Sequence, residues 1–211
     1  YAYMKRTAED AAKTRVALLE AALKSFEEKG WRGATFEHVA ERAGVTRGAL
    51  HHHFRSKRAL LVEALEWGWS DYEQRLFADL GGDDVEAGTE DEIGDRPNRD
   101  IEELLLRFVR LVTGDPRFRA LTSTTVLIAP QALGDRSGKD DALDGWRGRI
   151  ETMIARRGGD GTRLAPADAA GLVLIVLQGF TVAAVTRPKD IPQPDELGTA
   201  ITALVRGLLE T

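Results

Sequence analysis

Two short segments on either side of Gly44 constrain the fold of this chain more than any other part of its sequence. Thr35 is a good N-cap for a helix before the glycine, and Thr46 is a good N-cap for a helix of fewer than ten residues after it. Gly44 supplies the positive φ that a tight turn needs. Apolar residues of the first segment repeat at helical spacing, at Phe36, Val39, Ala40 and Ala43. The pattern predicts two short helices joined by a tight turn.

The second short helix presents small and polar residues on its outer side. Leu50, with Val45 from the turn, packs the angle between the two helices. The outward-facing residues are Thr46, Arg47, Gly48, Ala49, His51 and His52. A short helix with small residues near its start can enter a DNA major groove, which is about 12 Å wide. The geometry therefore allows contact with base edges.

Helical spacing of apolar residues continues along most of the chain, and no segment has a strong strand pattern. A helix over Thr7–Lys29 precedes the two short ones, and a helix of roughly twenty residues begins after Ser56. Later helical patterns cover Ile101–Thr113, Pro116–Ala132, Leu143–Ile154, Pro166–Thr186 and Pro194–Leu209. The sequence predicts an all-α protein of about nine helices, with an N-terminal three-helix helix-turn-helix domain followed by a larger helical domain.

The predicted domain boundary lies just before Ser56, with residues 1–55 in the helix-turn-helix domain and residues 56–211 in the larger one. Residues 81–100 read GGDDVEAGTEDEIGDRPNRD, an acidic, glycine-rich segment nearly free of large apolar side chains. Such a segment cannot bury enough surface to offset the entropy of ordering it. We expect a mobile loop here that serves as a plain connector.

Charge is divided unevenly along the chain. The net charge is −5, yet the residues up to Arg58 include twelve basic and seven acidic side chains, a net of +5, and the remainder carries −10. A basic head on an acidic body confines attraction for phosphate to one end of a protein. The distribution favours nucleic-acid binding by the N-terminal segment.

The segment Ala169–Thr186 contains no charged residue, and its length is at the lower limit for crossing a membrane. Gly171, Gln178 and Gly179 interrupt it, and no basic cluster marks a cytoplasmic flank. We expect no membrane span. A helix that is apolar on every side is instead expected to be buried between its own core and a partner subunit.

Several kinds of chemistry find no support in the sequence. The chain has no cysteine, which excludes disulfides, thiolate metal sites and cysteine nucleophiles. No catalytic triad pattern, phosphate-binding loop or dinucleotide fingerprint appears. We therefore expect no enzyme, no catalytic residues and no cofactor. The first residues lack the order of a secretory signal, so a cytoplasmic location is expected.

Three consecutive histidines, His51, His52 and His53, raise the question of a metal site. Consecutive residues point about 100° apart around a helix, so these side chains cannot converge on one ion. We predict no metal site here. His53 is expected to be a packed, hydrogen-bonded residue beneath the second short helix.

The stretch TFEHVAERAGVTRGALHHHFRSKRALLVEAL, Thr35–Leu65, resembles the signature of the TetR (tetracycline repressor) family. The preceding KTRVALLEAALKSFEEKGW resembles the first helix of that family. The resemblance covers about the first third of the chain at fixed offsets. It implies a cytoplasmic homodimer, formed through the last two helices, that binds palindromic double-stranded operator DNA. It also implies a repressor that a small-molecule effector releases.

The resemblance implies roles for individual residues of the helix-turn-helix. Thr35 and Thr46 correspond to positions that bind phosphates through hydroxyl and backbone N–H groups. Arg47 corresponds to a position that often reads a guanine edge, for which a bidentate arginine is suited. Gly48 and Ala49 correspond to positions that allow close approach. The resemblance implies DNA contacts for three further residues, His51, His52 and Lys57. Of these, Lys57 corresponds to a lysine that neutralises the charge of the DNA backbone.

The chain departs from the family pattern at His51, where a phosphate-contacting tyrosine is usual. Histidine can donate the same hydrogen bond, and more strongly when protonated. The departure predicts a DNA affinity that rises as the pH falls.

An effector pocket is expected in the larger domain, because such sites are apolar with a few placed polar groups. Gln178 stands in the middle of an apolar helix and needs a polar partner, in the ligand or across the dimer. The predicted pocket residues, hereafter the pocket set, are Trp67, Phe108, Leu121, Thr125, Trp146, Ile150, Met153 and Gln178. The alternative function is a helical binding or architectural DNA-binding protein without an effector.

Overall fold

The computed structural model describes residues 2–81, 90–134, 138–156 and 164–209, and every regular element among them is helical. The helices are α1 (Ala2–Gly33), α2 (Phe36–Arg42), α3 (Arg47–His53), α4 (Lys57–Phe77), α5 (Glu90–Gly114), α6 (Pro116–Ser123), α7 (Ala129–Leu133), α8 (Gly138–Ala155), α9 (Pro166–Thr186) and α10 (Pro194–Leu209). A π-helical turn, Thr124–Ile128, joins α6 to α7, and a 3₁₀ turn, Pro188–Asp190, precedes α10.

Helix α6, the π turn and α7 run on without a break from Pro116 to Leu133, and we call this run the α6–α7 rod. Counted with the rod as one helix, the described residues form nine helices. The predicted all-α class, with a helix-turn-helix at the N-terminus, is confirmed. The π turn had no sequence signal, because its residues continue the helical pattern on either side.

The chain divides into two compact units, and the first comprises Tyr1–Tyr72 and Pro116–Gly138. The apolar face of α1 forms part of its core, with Leu19, Ala22, Leu23 and Phe26 all buried. Helix α1 packs against α2 and against the α6–α7 rod. This unit therefore holds the helix-turn-helix together with most of α4 and the whole rod, and the predicted boundary between residues 55 and 56 stays a prediction.

The α6–α7 rod contacts both α1 and α4 through polar groups. The Thr124 hydroxyl donates to the Leu23 carbonyl at 3.5 Å, and the Trp69 indole N–H donates to Thr125 Oγ1 at 3.1 Å. At the end of the rod, the Arg58 guanidinium donates to the Leu133 carbonyl at 3.0 Å. These bonds satisfy hydroxyls that are buried within the rod.

The second unit comprises Glu73–Asp115 and Lys139–Thr211, and α5 lies at its centre. Helices α9 and α10 both pack on α5. The Thr202 hydroxyl also donates to Glu102 Oε2 at 3.0 Å, which joins α10 to α5. The core side chains of these three helices include Ile101, Leu104, Leu105, Phe108, Val173, Leu177, Ile201 and Val205.

The prediction of a loop over residues 81–100 is wrong for Glu90–Asp100, which belong to helix α5. Residues 82–89 lie outside the described residues. The prediction rested on the scarcity of large apolar side chains in this segment, whereas the described side chains near Asp100 include a polar contact and a buried amide. The Gly81 N–H donates to Asp100 Oδ2 at 3.1 Å, and Asn98 is buried. Pro97 also lies inside the helix, where a proline ordinarily signals an end.

Among the described residues, α9 is the one helix long and apolar enough to cross a membrane by length and composition. One side of it is buried within the second unit, where Ala169, Val173 and Leu177 are at most 3% exposed. The opposite side carries exposed apolar residues, namely Leu172, Ile175, Val182 and Val185. Ile175 is 63% exposed, which leaves a face of α9 uncovered by this chain.

Candidate nucleic-acid interface

Helix α2 begins and ends as its sequence predicts. The Thr35 hydroxyl accepts a hydrogen bond from the His38 N–H at 3.2 Å, which makes Thr35 the N-cap. At the other end, Gly44 has φ 69°. The Gly44 N–H donates to the Glu41 carbonyl and the Val45 N–H to the Ala40 carbonyl, each at 3.0 Å. This pair of bonds is the Schellman arrangement that stops a helix and turns the chain.

Helix α3 begins at Arg47, and a single one of its side chains is buried in the core of the unit. The Thr46 hydroxyl accepts from the Ala49 N–H at 3.1 Å and caps the helix. Leu50 is fully buried against the unit core, while Arg47, Gly48, His51 and His52 are exposed. The predicted outward-facing residues therefore lie together on one accessible surface.

No close contact within the chain requires a residue as small as glycine at position 48. A Cβ added at this position would meet only Thr46 Oγ1, at 3.8 Å, which is ordinary contact. The backbone there is helical rather than left-handed. The fold therefore does not require glycine at this position, and the open space above it lies on the outer side of α3.

Arg47 is held by two side chains that the sequence analysis did not connect to it. Arg47 Nη1 lies 2.7 Å from Glu37 Oε1, and the Arg47 Nε–H donates to His51 Nε2 at 3.3 Å. The Phe36 ring packs against the His51 ring with centroids 4.8 Å apart. Two residues of the first turn of α2, Phe36 and Glu37, thus contact α3 through its side chains.

The surroundings of Glu37 lower the pKa of its carboxyl group below the ordinary value of 4.5. The largest cause is a hydrogen bond from its own backbone N–H, and the charge of Arg47 and the Thr35 hydroxyl act in the same direction. Glu37 is therefore an anion throughout the physiological pH range. It is 57% exposed, so its pair with Arg47 lies in solvent.

Lys57, at the start of α4, is positioned by Trp31. Its ammonium group donates to the Trp31 carbonyl and lies 4.5 Å from the centre of the Trp31 ring. Burial lowers the pKa of Lys57 below its ordinary value of 10.5. Ser56 caps α4, since its hydroxyl accepts from the Ala59 N–H at 3.1 Å. The predicted phosphate contact of Lys57 stays a prediction.

His53 faces the body of the unit. Its carbonyl accepts a hydrogen bond from Arg15 Nη1 at 3.3 Å. Burial lowers the pKa of His53, and the neighbouring positive groups of His52 and Arg15 act in the same direction. Among the described residues, no group of three histidine, aspartate or glutamate side chains is arranged to hold a metal ion.

The pocket set is distributed over both compact units. Trp67, Leu121 and Thr125 lie in the first unit, and the other five members lie in the second. Most have core contacts: Arg117 stacks on Trp67 at 4.1 Å, and Trp146 packs edge-on against Phe77 at 5.3 Å.

Each unit has an open surface cavity that none of the pocket set lines. The cavity of the first unit, about 740 Å³, lies between α1 and α6, and that of the second, about 320 Å³, lies beside α5 and the 3₁₀ turn. Gln178 is half-buried on α9. The pocket set stays a prediction.

The described residues thus define a helix-turn-helix protein, and comparison with known proteins gives its family. Residues 18–64 match the family model described as "Bacterial regulatory proteins, tetR family". The transcriptional regulator TtgR of Pseudomonas putida is 47% identical over 62 residues, which are 29% of this chain and 29% of that protein. A probable acrEF/envCD operon repressor of Escherichia coli is 32% identical over 117 residues, 56% of this chain and 49% of that protein.

A solved structure extends the likeness beyond the helix-turn-helix. AibR, in complex with isovaleryl coenzyme A and operator DNA, covers 93% of this chain and 98% of its own with a TM-score of 0.67. Its sequence identity is 17%, so this likeness concerns the fold. The helix-turn-helix of this chain therefore belongs to the TetR family of bacterial regulatory proteins. The aligned stretches span 29% to 49% of the length of the two relatives named here.

Proposed function

We propose that the protein is a homodimeric repressor that binds palindromic operator DNA through α3 and leaves it when a small-molecule effector binds. The observation that carries the proposal is the outer surface of α3. Leu50 is the one buried side chain of the helix, while Arg47, Gly48, His51 and His52 face solvent on a capped helix short enough for a major groove. Because this activity requires access to chromosomal DNA, we place the protein in the cytoplasm.

Each residue of this surface has a proposed role. Arg47 reads a guanine edge through two N–H donors, and the Ala49 methyl contacts a thymine methyl. The N-capping residues Thr35 and Thr46 lie next to backbone N–H groups that bind phosphate, and Lys57 neutralises the DNA backbone. His51 and His52 complete the contact at the end of α3.

The exposed face of α9 supports the dimer. Leu172, Ile175, Val182 and Val185 follow helical spacing on the side that the chain leaves uncovered. Helix α10, which packs on the same α5, exposes small residues, namely Thr199, Ala200, Ala203 and Gly207. A second copy of the same two helices would cover the apolar face and bring small residues into close contact, as in a four-helix bundle.

The dimer is tested by measuring the mass of the protein in solution. Sedimentation velocity is expected to give twice the chain mass of 23.1 kDa. Ile175→Glu places a charge at the centre of the exposed face, and its mass should fall to that of one chain. Val16→Glu is the matched control. Val16 is also an exposed, β-branched apolar residue, 39% exposed, but it lies on a different helix. A dimer that persists in Ile175→Glu would refute the interface.

The repressor and its effector rest on the relatives. The E. coli protein is named a probable operon repressor, and AibR is bound to both a small molecule and operator DNA. By linkage, an effector that releases DNA must bind the free protein more tightly than the bound form. The competing function, an architectural DNA-binding protein without an effector, predicts no such coupling.

In vitro selection from a random DNA library tests the proposed function. The full-length protein should enrich a two-fold symmetric sequence whose half-sites are about 10 base pairs apart or a multiple of that. Enrichment of no sequence would contradict operator recognition. A metabolite and drug panel, screened against the protein bound to the selected DNA, then separates a ligand-responsive regulator from an architectural protein.

A further inference from the structure

We propose that Glu37 determines sequence selectivity by holding Arg47 away from DNA phosphates until a guanine edge is available. The inference rests on the proposed DNA binding by α3 and concerns a residue of α2. Glu37 is a selectivity-determining residue here because it acts on the reading side chain rather than on the bases.

The geometry shows how Arg47 is held. Arg47 has five N–H donors. Its Nη1 forms an ion pair with Glu37 Oε1 at 2.7 Å, and its Nε–H donates to His51 Nε2 at 3.3 Å. His51 is itself packed against Phe36, so the restraint on Arg47 comes from α2 at both contacts. The guanidinium therefore lies on the protein surface with its charge neutralised.

Non-specific and specific DNA make different demands on this arginine. Non-specific affinity comes from cations that replace counterions at phosphates. An Arg47 that stays paired with Glu37 adds no net charge to that contact. A guanine edge offers two acceptors in fixed geometry and can displace one exposed ion pair, which contributes little in water.

Glu37 therefore lowers affinity for every sequence that lacks the correct guanine. Removing its charge should free Arg47 for phosphate contact. An exposed ion pair limits the gain in affinity from this release to roughly fivefold for each recognition helix. One additional cation at a phosphate should steepen the slope of log K against log salt by about 0.9 for each recognition helix.

The experiment compares Glu37→Gln with the wild type on two DNA duplexes, the sequence obtained by selection and a scrambled duplex of equal length. Affinity is measured by fluorescence anisotropy at several KCl concentrations. For Glu37→Gln we expect binding to the scrambled duplex that is roughly fivefold tighter for each recognition helix in contact with DNA, a steeper salt slope, and a smaller ratio of specific to non-specific affinity. Thermal unfolding of both proteins checks that the exposed substitution leaves the fold intact.

Two further variants keep the test specific. Glu41→Gln removes the same charge from an exposed position on α2, and no described contact links it to Arg47. It should leave the ratio unchanged. In the background of Arg47→Ala, Glu37→Gln should lose its effect on the salt slope.

The outcomes separate the two proposals. If the wild type binds neither duplex, the proposed DNA binding fails. If the wild type discriminates but Glu37→Gln keeps the same ratio and salt slope, or changes them no more than Glu41→Gln does, the role of Glu37 is overturned. Tighter scrambled-duplex binding that persists without Arg47 would also overturn it.

Discussion

Replacing Gly48 with alanine should stabilise the protein while weakening its binding to DNA. The added Cβ would meet only Thr46 Oγ1, at 3.8 Å, so it causes no clash within the chain. Gly48 lies in the first turn of α3 with helical backbone, where alanine is favoured over glycine by about 0.5–1 kcal/mol. For a chain of this size, that gain corresponds to a rise in Tm of about 1–4 °C.

The same substitution should weaken the binding of the protein to DNA. If α3 enters the major groove with this turn foremost, the new methyl group occupies space that the bases need. The helix would then be displaced from the groove, and the Arg47 contact, about 1–3 kcal/mol for a bidentate arginine, would be lost. This corresponds to about 5- to 150-fold weaker binding for each half-site of the selected DNA sequence.

The assay is a pair of measurements on each variant, thermal unfolding and anisotropy with the selected duplex. Gly145→Ala is the matched control, because Gly145 is an exposed helical glycine of α8 with no atom within 4 Å of an added Cβ. It should gain similar stability and keep full DNA affinity. Unchanged DNA affinity in Gly48→Ala would refute close approach by the first turn of α3.

Three further substitutions test the local arguments. Gly44→Ala puts a side chain on a residue with φ 69° and no atom within 4 Å of the added Cβ. Backbone strain alone should therefore reduce the free energy of unfolding, measured in urea, by about 1–2 kcal/mol. An unaltered urea midpoint would contradict this. Gly68→Ala would place a Cβ 2.6 Å from Leu121 Cδ1, and such overpacking should reduce stability by about 1–3 kcal/mol; a Tm equal to that of the wild type would show that α4 and the rod are not packed this closely. His53 has a lowered pKa in the folded chain, so the unfolded chain binds more protons and stability should fall as the pH drops below about 6.5. Unfolding midpoints between pH 7.5 and 5.5 should fall less in His53→Gln, and identical pH dependence in the two proteins would count against this burial.

The helix-turn-helix was predictable because its signals are local. Thr35, Thr46 and Ser56 cap the helices that follow them, and Gly44 has the positive φ that its position implied. Caps and left-handed glycines act within one helical turn, so a sequence pattern is enough to find them. The outward-facing residues of α3 follow from the same pattern, because the buried Leu50 fixes the orientation of the helix.

Other features depend on contacts that no local pattern contains. The start of α5 has few apolar residues. Asn98 is buried there and the Gly81 N–H donates to Asp100, and neither contact can be seen in the sequence. The neighbours of Arg47 and Lys57 lie on other helices, at Glu37 and Trp31. A crossing of α2 and α3 was predicted, but which side chains meet at a crossing depends on its angle and register. The acidic residue ten positions before Arg47 is the signal that would have indicated the pair.

The most direct test of DNA reading by α3 is the affinity of Arg47→Ala for the selected DNA sequence. The matched control is Arg187→Ala, which removes another exposed, ion-paired arginine from the second unit. The account predicts binding about 5- to 150-fold weaker per half-site for Arg47→Ala, with relaxed preference at one base pair of each half-site, and wild-type affinity for Arg187→Ala. Wild-type affinity and unchanged base preference in Arg47→Ala would contradict it.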